Sequence, residues 1–128
     1  MKRGPLLNPA LNHLLASTGH TDYFTVCDRG FPVPIGPERI DLALTDDIPT
    51  VLDVLKLVVA DFHIDRVVIP SEVDDIAPHR VKELEAILGD IPLFRVPHLE
   101  FKRISHSARA TVRTGDATPY GNIIVVSG

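Results

Sequence analysis

Strand-like and helix-like stretches alternate along almost the whole of this chain, each short and each closed by turn residues. That pattern selects an α/β class, one three-layer domain in which a parallel or mixed sheet is flanked by helices. Asn8-Pro9 before Ala10, Leu11, Leu14 and Leu15 predicts a helix with a capping residue, a proline at its first position and one apolar face. Gly19 stops it. Tyr23 to Asp28 reads as a strand ended by Arg29-Gly30, and three prolines with two glycines make Gly30 to Pro37 a loop. A strand follows over Arg39 to Leu44, a helix over Pro49 to Phe62, and a strand over Arg66 to Pro70. Val81, Leu84, Ile87 and Leu88 outline an amphipathic helix that Gly89 ends. The remaining expectations are strand Leu93 to Val96, helix Pro97 to Ser107, strand Ala110 to Thr114 and strand Asn122 to Val126. No repeat, linker or low-complexity tract interrupts the 128 residues, so residues 1–128 are read as a single domain.

Composition excludes several classes. Apolar residues make up 45% of the chain, enough for a core and too many for intrinsic disorder. The net charge is −4 and no basic run exceeds two residues, which argues against a phosphate-reading nucleic-acid surface. The basic start Met1-Lys2-Arg3 is followed by Asn8, Pro9, Asn12 and His13, which break the apolar stretch a signal peptide needs. No stretch is long and apolar enough for a membrane span. A single cysteine, Cys27, forbids an intrachain disulfide and favours a reducing, cytoplasmic setting.

The common chemical motifs are absent. No glycines stand in the spacing of a dinucleotide fingerprint, and neither a phosphate loop nor a nucleophile elbow occurs. Cys27 lies in an apolar strand, where a small core residue is the simpler reading than a nucleophile. His63-Ile64-Asp65 has no partner motif for zinc, so no metal is expected. What remains is a set of polar residues where strands begin or end: His20 in Gly19-His20-Thr21-Asp22, Asp28, His98, and Pro119-Tyr120-Gly121-Asn122. In α/β folds such positions collect ligands, although each alone reads as readily as a cap or turn former.

Taken in order, these blocks resemble the D-ribose pyranase family. The resemblance rests on Leu7-Asn8, Gly19-His20-Thr21-Asp22, Val26-Cys27-Asp28 and Arg39-Ile40-Asp41-Leu42-Ala43-Leu44, closing with Arg113-Thr114-Gly115-Asp116 and Pro119-Tyr120-Gly121-Asn122-Ile123. It implies a cofactor-free isomerase that exchanges the pyranose and furanose rings of D-ribose, and its anomers. His20 is then the proton donor, with Asp28, His98, Tyr120, Gly121 and Asn122 binding the sugar. Lys102, four residues after His98, shares its helical face. The resemblance also implies a ring-shaped homo-oligomer, a decamer, with sites near subunit boundaries. The almost wholly apolar Val51–Val59 helix is consistent with burial there. Two alternatives share this frame: a fucose-type mutarotase, whose family also has the Gly-His and Tyr-Gly-Asn blocks, and a sugar-binding protein without catalysis.

Overall fold

The computed structural model covers residues 1–128 and contains one six-stranded sheet. In chain order the elements are α1 (Pro9–Ser17), β1 (Tyr23–Cys27), β2 (Glu38–Asp41), α2 (Val51–Asp61), β3 (Ile64–Pro70) and α3 (Val73–Ile76). There follow α4 (Pro78–Leu88), β4 (Leu93–Val96), α5 (His98–Ser105), β5 (Ala110–Arg113) and β6 (Ile123–Ser127). The strand order is β2-β5-β1-β6-β3-β4. Only β6 runs against the rest, pairing antiparallel with β1 and β3, so the sheet is mixed as the alternation predicts.

Two apolar faces make the three layers. Alternate residues of β1 and β6 point to opposite sides, as the period of two requires. Phe24, Val26, Ile123 and Val125 join a 24-residue cluster with α1, α2 and α4, whereas Cys27, Ile124 and Val126 pack with Phe31 and Phe101 under α5. In β3 a register shift between Ile64 and Arg66 lets Ile64 share a face with Val67 and Ile69 despite the odd spacing.

The helix ends follow their sequence signals. Asn8 accepts a hydrogen bond from the Leu11 amide and Pro9 opens α1. Thr50 and Asp53 form a reciprocal capping box on α2. Gly89 closes α4 with φ +59°, a left-handed conformation that glycine adopts without steric cost. Most element ends shift by a residue or two from the sequence reading, and some differences have a clear cause. β2 ends at Asp41, because the Leu42-to-Pro49 segment turns back on itself through a Thr45–Ile48 bridge. α2 starts at Val51, and a short α3 precedes α4 where no helix is predicted. The apolar excess of α2 is also largely accounted for inside one chain. Val51, Leu52, Val54, Leu55 and Val58 are buried in the core, while Asp53, Lys56, Ala60 and Asp61 face outward. No helix is long and apolar enough to cross a membrane.

Candidate functional site

Because β1 to β5 are mutually parallel and β6 is antiparallel, one end of the sheet collects five strand C-termini and the start of β6. Asp28 follows β1, His98 follows β4 as the first residue of α5, and Tyr120, Gly121 and Asn122 lead into β6. Five of the six residues predicted for the site therefore meet at this end.

Their contacts are specific. Asn122 is 2% exposed and its side-chain oxygen accepts the Asp28 amide at 2.8 Å, which locks the strand end to the Tyr-Gly-Asn turn. The Asp28 carboxylate is half-buried and accepts the Gly30 amide at 2.9 Å, turning the chain toward Phe31. Burial raises its pKa, opposed by the amides of Gly30 and Phe31; Asp116 adds to the rise and His98 lowers it. The His98 ring stands edge-on to Tyr120, with centroids 5.0 Å apart, and lies parallel to Phe101 at 6.3 Å. Burial and the Lys102 ammonium hold its pKa below the ordinary histidine value, against the pull of Glu72 and Asp28. His98 Nδ1 is buried and has no hydrogen-bond partner within the chain.

Asp28 also lines a cleft of about 270 Å³ with Arg29, Gly30, Asp116, Ala117, Thr118 and Pro119. A second cleft, about 480 Å³, adjoins it through Arg29 and Gly30 and continues along Ala43–Asp46, Arg113 and Gly115. Lys102 and His106 line a third cleft of about 370 Å³ against the Pro32–Gly36 loop.

His20 is not among the gathered residues. It is exposed, in the turn between α1 and β1, where the Thr21 amide bonds the Ser127 carbonyl at the end of β6. That is the opposite end of the strands. Asp22 and Asp28 are six strand steps apart, about 20 Å at the usual rise, so His20 of one chain cannot reach a sugar held by Asp28 of the same chain. No group of three or more His, Cys, Asp or Glu side chains is arranged to hold a metal ion. Cys27 is fully buried, and burial, with the Asp28 charge beside it, pushes its thiol up to about 12. It is a core residue rather than a nucleophile.

Two side chains that bond to residues of this region escape the sequence reading. Glu72 accepts the His98 amide at 3.0 and 3.1 Å and so caps α5 from a distant segment. Arg80, 5% exposed, forms a two-pronged pair with the fully buried Asp116 at 2.8 and 3.2 Å. A usable signal exists for Arg80: it precedes Leu84 and Leu88 by four and eight residues, on the buried stripe of α4. Nothing local distinguishes Glu72.

The chain is similar to known proteins over its whole length. A D-ribose pyranase of Laribacter hongkongensis is 44% identical over 128 residues, covering 100% of this chain and 98% of the relative. One from Geobacillus kaustophilus is also 44% identical, over 100% of this chain and 94% of its own. The structure of Bacillus subtilis RbsD complexed with D-ribose superposes with a TM-score of 0.95 at 34% identity, covering 100% and 98% of the two chains. The fucose mutarotase of Streptococcus pneumoniae, at 22% identity and a TM-score of 0.74, shares the fold. The model of the RbsD / FucU transport protein family matches residues 1–128, and the chain belongs to that family.

Proposed function

We propose that this protein is a D-ribose pyranase, exchanging the pyranose and furanose rings of ribose together with their anomers. The observation that carries the reading is the convergence of Asp28, His98, Tyr120 and Asn122 at one sheet end. It occurs in a chain that matches D-ribose pyranases over its whole length. A carboxylate, an imidazole, a phenol and an amide suit a polyhydroxylated ring, since each can donate to or accept from a hydroxyl.

The chemistry needs proton transfer alone. A base takes the anomeric hydroxyl proton as an acid protonates the ring oxygen; the bond from C1 to that oxygen breaks and C1 becomes the aldehyde. The C4 hydroxyl then adds to C1, giving up its proton as the carbonyl oxygen gains one, and the furanose closes. Positioned acid and base groups typically contribute about 10² to 10⁴ in rate. In this reading His20 is the proton donor, and Asp28, His98, Tyr120, Gly121 and Asn122 hold the sugar. With its pKa lowered, His98 is neutral near pH 7 and able to accept a sugar hydroxyl proton.

The separation of His20 from Asp28 supports an assembly of several copies. His20 serves a sugar only if a second copy brings it to the Asp28 end, so the active form is a homo-oligomer with sites at subunit boundaries; that it is a ring-shaped decamer rests on the family resemblance alone. The exposed Leu7, Leu44, Ile48 and Leu99 are apolar surface that such contacts would cover. Free ribose as substrate and a lone buried thiol fit a cytoplasmic enzyme working without cofactor. Magnetisation-transfer NMR on D-ribose, with L-fucose in parallel, tests the reading. Faster ribose exchange supports it, faster fucose exchange alone assigns a mutarotase, and binding without exchange leaves a sugar-binding protein.

A further inference from the structure

The turn that carries Tyr120 and Asn122 is held from below by charge buried in the core. Asp116 is fully buried, and its carboxylate accepts four hydrogen bonds: two from Arg80, one from the Val51 amide at 2.9 Å and one from the Thr118 amide at 3.0 Å. Its carbonyl accepts the amide of Arg29, the residue after Asp28, at 3.0 Å. Arg80 reaches further. Its Nη2 donates to Thr118 Oγ1 at 2.9 Å, and its Nη1 lies so close beneath Gly121 that a Cβ there would be 3.2 Å away. The same Cβ would stand 2.9 Å from the Thr118 carbonyl, which accepts the Gly121 amide. Immediately before Gly121, Tyr120 has φ +56°, a left-handed conformation that costs a non-glycine residue about 1 kcal/mol or more and persists only where neighbours impose it.

We propose that Arg80 is a positioning residue for the sugar site: gripping Asp116 and Thr118, it fixes the Thr118–Gly121 turn and so holds Tyr120 and Asn122 toward the sugar. The inference rests on the ribose-exchange reading for its kinetic arm only. A purely stabilising ion pair would be lost with the fold and leave the folded protein's site unchanged. A positioning role predicts altered substrate affinity and an altered Tyr120 environment in protein that is still folded.

Removing a partner from a buried pair is strongly destabilising, so the test uses Arg80→Lys, which keeps the charge, and Thr118→Val, which keeps the Arg80–Asp116 pair. The chain has two tyrosines and no tryptophan, so Tyr23→Phe leaves Tyr120 as the only intrinsic fluorophore. In that background, acrylamide quenching of Tyr120 should rise severalfold in Thr118→Val, with circular dichroism and particle size unchanged. In the full chain, KM for ribose exchange should rise roughly ten-fold for loss of one charge-assisted hydrogen bond, with a smaller change in kcat. Arg80→Lys should shift both readouts the same way. Combining the two should add little, because both cut one link. Wild-type quenching and KM in folded Thr118→Val would overturn the proposal, as would fully additive effects, which would mean that Thr118 meets the sugar itself. If the parent protein exchanges no ribose, the functional reading fails, and Tyr120 quenching still decides the role of Arg80.

Discussion

Asp28 bears the conflict between stability and function most plainly. Burial penalises its ionised form, so its folded pKa stands above the ordinary aspartate value. A raised folded pKa means stability present at low pH and lost as pH climbs through that value. At neutral pH the charge therefore strains the fold, and Asp28→Asn should not lower the melting temperature while it reduces ribose affinity and exchange together. A stability loss at pH 7 would contradict the assignment of burial as the dominant cause. Exchange should also fall on the acid side as Asp28 gains its proton, above the range of an exposed carboxyl, which a pH–rate profile measures. Most of these residues were legible from the sequence because they occupy strand ends within motif blocks. Arg80 is legible only as a charge on the buried stripe of α4 and Glu72 not at all, because their roles depend on Asp116 and His98, 36 and 26 residues away along the chain.

Among the elements, α2 shows how local chemistry and tertiary contact share one helix end. Thr50 and Asp53 satisfy amides at its start, and Asp116 satisfies the Val51 amide from across the fold. Thr50→Ala should cost about 1 kcal/mol of unfolding free energy, read from the denaturant midpoint, and leave exchange intact in folded protein. The strands and long helices were readable from hydrophobic period and caps. The end of β2 and the existence of α3 were not, since the first is set by the Thr45–Ile48 turn and the second by docking Val73 into the core. The apolar ring of α2 suggested a subunit contact from sequence. In the fold its buried side chains are largely used within the chain, so the case for assembly rests instead on where His20 lies.

For the whole molecule, the opposed positions of His20 and the Asp28 cluster predict complementation. Chains carrying His20→Ala or Asp28→Asn should each lose most exchange, by about 10² to 10⁴ for the histidine. Co-assembled, they should recover up to about a quarter of wild-type activity, because random mixing in a closed oligomer pairs an intact His20 with an intact Asp28 at one boundary in four. No recovery in verified mixed oligomers would place both residues in one chain's site or remove His20 from it. His13, exposed on α1 and outside the residues assigned to the site, is the control whose replacement should change nothing. Exhaustive chelation should leave the rate unchanged, and a loss restored by zinc or manganese would refute metal-free proton transfer. The most direct measurement is saturation transfer between the anomeric protons of β-pyranose and furanose ribose. Exchange should rise in proportion to protein and collapse with His20→Ala while ribose still binds. Ribose bound by wild-type protein with exchange at the uncatalysed rate would contradict the pyranase reading.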